Sequence, residues 1–452
     1  MKVSLDVSNK AGITSHKRPK GDFMLWDEMY SRAKSWGQAI PADDPNRLVF
    51  GIHAENGIDT ILQFLAVLFA GGIPAPLAPS TDVDTRDSLL KSLGASGLWN
   101  NSVGWIRLPG SRRYNDGFDI VMHSSGSTGV PKALAITLSS MKKNARDVAG
   151  ALKIDHNDIH IGTYSQCYMS GLYNATLLPL ITGGRVVSVP ITTPLTAKDL
   201  IAAIKEHRPT VLWTSPLIAR MLHRLEGIPN DVMNGIRFAV SCTATLQKED
   251  KERFEEKFHI PLLQSYGLCE TLITTMEDPD DPAAGSVGRP LGGKGAVIVK
   301  DGRVIISNGA VFAGYIREAE SGSFVPSEER FITEDMGRFD KKGNLVIEGR
   351  ASEVINRDGI KFLPSSVEDK IALIPGVSEC AVVGIEDGSL GARIVAWVSG
   401  SNLDRKKLQS EFRKRLRPVE RPHDIVIVDR LPRTTSGKVD RFSLRTREAG
   451  IR

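Results

Sequence analysis

The sequence predicts a mixed α/β protein. It reads as a large N-terminal domain of parallel-type sheets with crossover helices plus a β-rich subdomain, followed by a small C-terminal α+β domain. Three observations carry this prediction. The chain has 452 residues, more than one compact core accommodates. Strand-like and helix-like runs alternate between Gly184 and Tyr266. The texture then changes twice, near residue 290 and again past Arg350.

The alternating region reads in order as follows. Gly184–Val189 is a strand, Ala197–His207 a helix and Thr210–Trp213 a strand. Leu217–Leu225 is a helix, Ile236–Ser241 a strand, Lys248–Phe258 a helix and Pro261–Tyr266 a strand. Such alternation is the pattern of βαβ crossovers. Pro74, Pro76 and Pro79 interrupt the earlier segment, so Ile73–Ser80 is expected to be an ordered loop. From about residue 290 to 349, short runs such as Ala296–Val299 and Arg303–Ile306 alternate with Gly turns and read as a β-rich subdomain. Beyond it come a helix at Ser365–Leu373, strands at Ala381–Val383 and Ile394–Val398, and a helix at Asp404–Arg417.

Composition narrows the function classes. With 41% apolar and 25% charged residues, the chain is globular in type rather than disordered. Met1–Asp22 has no apolar signal core, and the apolar run Ile61–Ala70 is too short to span a bilayer. The cysteines 167, 242, 269 and 380 are scattered and form no CxxC pair, so neither zinc nor a disulfide framework is indicated. A cytoplasmic protein without membrane insertion is expected. Net charge is +5, yet Ser401–Arg452 alone carries 15 Lys/Arg against 7 Asp/Glu, or +8. Such a tail suits nucleic acid, a small polyanion or an acidic protein partner; the competing reading is a solvated helix face, Asp404–Arg417. No nucleic-acid-binding signature accompanies it, so no nucleic-acid partner is expected.

One loop stands out. Ser124-Ser125-Gly126-Ser127-Thr128-Gly129-Val130-Pro131-Lys132 follows the apolar run Ile120–Met122. Hydroxyls and exposed backbone N–H groups can cradle phosphate, and Gly126 and Gly129 allow close approach. It is not a Walker loop, because Pro131 stands where that pattern needs Gly and Ala133 follows Lys132. No GxGxxG dinucleotide fingerprint opens a helix here either.

The loop instead resembles the Ser/Thr-Ser-Gly-Ser/Thr-Thr-Gly-x-Pro-Lys signature of the adenylate-forming superfamily, which includes acyl-CoA synthetases, aryl-CoA ligases and adenylation domains. Four further motifs follow in that family's order. Ser265–Glu270 resembles Tyr-Gly-x-Thr-Glu, and Thr333-Glu334-Asp335 resembles Thr-Gly-Asp. Gly349–Glu353 resembles Gly-Arg-x-Asp-Asp, and Leu431–Lys438 resembles Pro-x-Thr-x-x-Gly-Lys. The similarity runs from about residue 45 to the end.

The resemblance implies a chemistry. A carboxylate attacks the α-phosphate of ATP, giving acyl-AMP and pyrophosphate, and the acyl group then passes to a thiol. The catalytic residues implied are Lys438, Thr128 and Glu270. Lys438 would bridge the attacking carboxylate and the α-phosphate; Glu270 would hold Mg²⁺. Nucleotide contacts are implied for residues 124–129 and Lys132, for Tyr266, Gly267 and Cys269, and for Thr243-Ala244-Thr245 opposite Tyr266 across the adenine. Asp335 would accept the ribose hydroxyls and Arg350 would add a donor. The implied domains are 1–349 and 353–452, with residues 350–352 as hinge and Ser352 at the joint.

Substrate and acceptor follow more loosely. Gln166–Leu172 has no Asp of the kind that holds an amino-acid amine, so a small carboxylic acid without an α-amine is expected. Tyr168, Met169, Gly171, Leu172, Trp213 and Met276 would line a largely apolar pocket, although core packing also explains Leu172 and Trp213. Asn356–Lys361 resembles the loop lining a pantetheine path, with Gly359 at its tip, which implies CoA or an acyl carrier protein as acceptor. A stand-alone carrier-loading adenylation enzyme and a non-catalytic nucleotide-binding homologue remain alternatives. Three departures bear on them: Cys269 replaces the usual Thr, Ser352 the usual Asp or Lys, and Tyr168 the usual His.

Overall fold

The computed structural model describes residues 11–15, 23–40, 42–79, 81–100, 103–124, 132–189, 197–244, 246–317, 323–357, 359–387, 391–433 and 439–449. Its centre is a nine-stranded sheet. In spatial order the strands are Arg289–Pro290, Leu272–Met276, Leu262–Leu268, Phe238–Ser241, Val211–Thr214, Ile159–Gly162, Arg185–Ser188, Gly12–Ser15 and Met24–Leu25. The six from Leu262–Leu268 to Gly12–Ser15 run parallel. The helices Ala197–His207, Pro216–Arg224 and Lys248–Phe258 cross between them. These crossovers bury Leu200, Ala203, Ala219, Leu222 and Phe254 against the sheet. Val187, Val211, Leu212 and Val240 are fully enclosed, as expected of strands covered on both faces.

A second sheet has the order Ile73–Leu77, Val49–His53, Gly97–Asn100, Gly104–Arg107. Residues 73–77 are therefore a strand, not the loop that their prolines predict. The reason is positional. The strand lies at the sheet edge, and the Ile73 N–H donates to the Leu48 carbonyl (2.8 Å). Odd-numbered residues thus face the partner, and Pro74 and Pro76 fall on the side that needs no donor.

A third sheet is antiparallel, with order Ser323–Pro326, Gly314–Arg317, Lys132–Ile136, Ile120–Ser124. Ser124 pairs with Lys132, so residues 125–131 connect two antiparallel strands. That is not the strand-to-helix connection of a Walker loop.

The four antiparallel strands Val297–Lys300, Arg303–Ile306, Phe331–Phe339 and Leu345–Arg350 form a compact unit around Val287, Val304, Ile306 and Leu345. After a short 3₁₀ turn at Ala351–Glu353 come the hairpin Ile355–Arg357/Ile360–Phe362 and a three-stranded sheet, Val377–Asp387, Gly391–Gly400 and Asp424–Ile427. The helices Pro364–Ala372, Arg405–Arg415 and Arg441–Ala449 accompany it. Among the described residues, the two apolar clusters of this C-terminal region are built only from residue 355 onward.

Candidate active site

The carboxyl ends of the parallel strands are where an open α/β sheet binds ligands, and three sequence-predicted groups converge beyond them. Tyr266 lies near the end of Leu262–Leu268. Its hydroxyl donates to Asp335 Oδ2 at 2.7 Å. Arg350 stands directly across the antiparallel ladder from Asp335, with Nε 3.4 Å from Oδ1. Burial, reinforced by the Asp335 carboxylate, pushes the Tyr266 phenol well up, so it stays a donor at neutral pH. Buried Thr333 holds Asp335 in place. Its hydroxyl accepts the Asp335 N–H (3.0 Å) and donates to the Val304 carbonyl (2.9 Å). Glu334, between them, points to solvent and pairs with Arg303.

The turn after Tyr266 depends on glycine. A Cβ on Gly267 would lie 1.9 Å from the Leu272 carbonyl oxygen, so no other residue fits this bulge. Thr271 supports the same turn: its hydroxyl accepts the Leu268 N–H (3.3 Å). Cys269 is half-buried. Glu270 Oε1 accepts from the Tyr315 hydroxyl at 2.9 Å, and Tyr315 sits beside the Lys132–Ile136 strand. Lys132 Nζ lies 5.7 Å from the Tyr315 ring centre. Tyr315 therefore joins Glu270 to the sheet that carries residues 124–132.

Thr243 and Ala244 are exposed just past the Phe238–Ser241 strand, with Thr243 in a left-handed conformation (φ 78°). Tyr164 underlies them. Its hydroxyl donates to the Thr214 carbonyl and accepts the Cys242 N–H (3.2 Å), joining the ends of three parallel strands. Neither Tyr164 nor Tyr315 belongs to a motif. The sequence carried no signal for either: the Ile159–Gly162 strand that ends just before Tyr164 lies outside the alternation read from Gly184 onward.

The predicted acid-pocket segment, Gln166–Leu172, leads into a π-helix, Ser170–Leu177. A Cβ at Gly171 would meet the Ser165 carbonyl oxygen at 2.0 Å, so glycine lets the helix press on that loop. Tyr168 is half-buried and Met169 nearly buried, whereas Leu172 and Trp213 are wholly enclosed and Met276 almost so. The Trp213 indole donates to His160 Nδ1 at 3.1 Å. Leu172 and Trp213 thus serve the core and offer no surface to a ligand. Gly359 has φ 78° and open space where a Cβ would stand. Ser352 is exposed in the 3₁₀ turn. Ser125, Gly126, Ser127, Thr128, Gly129, Thr245, Asp358 and Lys438 lie outside the described residues, as does the Ser124 side chain.

Among the described residues no cluster of three or more His, Cys, Asp or Glu is placed to hold a metal ion. Glu270 offers a lone carboxylate. That suits a magnesium ion bound chiefly by phosphate and water, which takes one or two protein carboxylates. No helix among the described residues is long and apolar enough to cross a membrane.

Two family models match the chain, in two separate stretches. A family model described as AMP-binding enzyme matches residues 113–316, and one described as AMP-binding enzyme C-terminal domain matches residues 366–438. The chain belongs to the adenylate-forming superfamily. It is 29% identical over 342 residues to a sulfoacetate–CoA ligase of Cupriavidus necator, covering 72% of this chain and 66% of that protein. It is 28% identical over 339 residues to an oxalate–CoA ligase of Arabidopsis thaliana, covering 71% and 66%. The chain thus spans slightly under two thirds of these relatives. In fold it resembles ATP-bound MatB from Rhodopseudomonas palustris, with TM-score 0.85 and 22% identity over 97% of this chain and 96% of that one.

Proposed function

We propose that the protein activates a small carboxylic acid with ATP and passes the acyl group to a thiol, either CoA or the phosphopantetheine of a carrier protein. The observation that carries this reading is the convergence of Tyr266, Asp335 and Arg350 from three strands beyond the carboxyl ends of the parallel sheet. The curated relatives' names, sulfoacetate–CoA and oxalate–CoA ligase, support it.

In the first step a carboxylate oxygen attacks the α-phosphorus, the bond to pyrophosphate breaks, and acyl-AMP forms. Adenine packs between Tyr266 and Thr243–Thr245, and Asp335 accepts the ribose hydroxyls. Residues 124–129 and Lys132 hold the outer phosphates. Glu270 would hold a magnesium ion, whose charge would offset that of the phosphates. Lys438 sets a cation between the two approaching anions, and Thr128 donates to the phosphates. In the second step the thiol sulfur attacks the acyl carbon, AMP leaves and the thiol proton passes to solvent. Residues 350–352 act as the hinge on which the 353–452 part turns, and Gly359 lies on the thiol's path. Tyr168 and Met169 face the acid. ATP and reduced thiols are both available in the cytoplasm, which supports a reaction there.

Pyrophosphate release, measured with ATP, Mg²⁺ and a panel of aliphatic, aryl and hydroxy acids, tests this. Release that depends on one class of acid is expected. No release with any acid would leave the non-catalytic nucleotide-binding reading in its place.

A further inference from the structure

Away from the nucleotide site, a row of alternating charges crosses from the large part of the chain to the C-terminal part. His223 Nε2 lies 3.0 Å from Asp250 Oδ1. Arg220 Nε lies 2.6 Å from Asp250 Oδ2, and its Nη1 lies 2.7 Å from Glu379 Oε1. The same Glu379 oxygen receives Nη2 of Arg433. Arg220 and Asp250 sit on the helices Pro216–Arg224 and Lys248–Phe258, packed on the parallel sheet. Glu379 is on the Val377–Asp387 strand of the C-terminal sheet. Arg433 bridges Val439, so these two residues close the base of the segment that contains Lys438.

We propose that the Arg220–Glu379 ion pair is a releasable latch, and that both are positioning residues for adenylation. The inference rests on the two-step reading above. Two features of the row support it. The side chains are only 17% (Arg220), 7% (Asp250) and 24% (Glu379) exposed, so the contact is stronger than a fully solvated pair. Separation orphans no charge. Arg220 keeps Asp250 on one side, and Glu379 keeps Arg433 on the other. Breaking a buried pair is costly when it leaves a lone charge, and here it leaves two neutral pairs. The contact therefore holds one arrangement of the two parts and yields it at low cost. Because Glu379 also grips Arg433, closing the latch sets the base of the Lys438 segment relative to the large part.

The test uses Glu379→Gln, Arg220→Gln and the double variant in the full chain. Acyl-AMP formation should fall about 5- to 20-fold in each single variant, the scale of a partly buried charge pair. The KM for ATP should hold. Thioester formation from synthetic acyl-AMP and a thiol should stay level or rise. The double variant should be no slower than the slower single, because both remove one contact. A second readout needs no turnover: spin labels at Glu252→Cys on the large part and Lys407→Cys on the C-terminal part. Glu379→Gln should move the dominant inter-label distance into a second population. An unchanged distance distribution overturns the latch whatever the kinetics. Equal damage to both half-reactions with a lowered Tm also overturns it, in favour of a purely structural pair. If the parent protein activates no acid, the proposed chemistry falls, while the distance measurement still decides the latch.

Discussion

Asp335→Asn is the most informative single change, because the structure separates its effect on catalysis from its effect on folding. The Asp335 carboxylate is about one-tenth exposed and already accepts the Tyr266 hydroxyl at 2.7 Å. An asparagine keeps the shape and one oxygen acceptor, so the phenol retains a neutral hydrogen bond. Arg350, 39% exposed, loses a partner at 3.4 Å, which at that exposure costs at most about 1 kcal/mol. The fold should therefore survive. What disappears is the charge-assisted bond to the ribose. At about 1.5–3 kcal/mol, that predicts a fall in kcat/KM for ATP of roughly 10- to 150-fold. Tyr266→Phe removes a neutral donor from the same carboxylate and should cost only about 2- to 10-fold. Both are read by coupled pyrophosphate release at varied ATP, with Tm as the control. If Asp335→Asn left ATP kinetics unchanged in a folded protein, Asp335 would be a scaffold for Tyr266 and Arg350, and the ribose assignment would be wrong.

Lys438→Ala should cut acyl-AMP formation by about 10²–10³-fold, the scale of one lost electrostatic stabiliser, and spare thioester formation from synthetic acyl-AMP. Gly359→Leu should do the reverse, since φ 78° strains a leucine backbone and its side chain fills the open tip; equal loss in both half-reactions would sink the assignment. Cys269→Thr should hold or raise adenylation, because Thr271 already supports the turn; a large loss would mean that the site is built around the thiol. His160, wholly buried, has its imidazole pulled down from 6.5 to about 4 by desolvation. It is neutral when folded, whereas the unfolded chain gains a proton below about pH 6.5. Its stability contribution is thus complete above pH 6.5 and declines toward pH 4, by about 3 kcal/mol over the window. His160→Gln should flatten the fall of Tm between pH 6.5 and 4.5, and an unaltered slope would exclude this source.

Much of the architecture is legible in the sequence. The helices Ala197–His207 and Lys248–Phe258 fall on their predicted bounds, because crossover helices carry a buried stripe at helical spacing and the strands between them are unbroken apolar runs. That Tyr266, Asp335 and Arg350 come together was also readable from their motifs. Leu172 and Trp213 were not separable from pocket residues, since an apolar residue near a site looks the same whether it faces ligand or core. The surplus charge of the tail is likewise not readable as free surface charge from sequence alone. Arg441 pairs with Glu368 and Arg433 with Glu379, acids that lie outside residues 401–452, so part of the excess is spent within the fold.

By itself, then, the sequence determined the alternation of strands and helices, the change of texture near 290 and 350, and the ordered motifs, all of which are local in the chain. Only the tertiary structure decided the rest. Pro74 and Pro76 belong to a strand because their neighbour lies on one side only. Residues 124 and 132 face each other across an antiparallel pair. Tyr315 reaches Glu270 from 45 residues away, and Arg220 reaches Glu379 from 159. Such contacts depend on which sheet edges and helix faces the packing brings together, and no spacing along the chain records that.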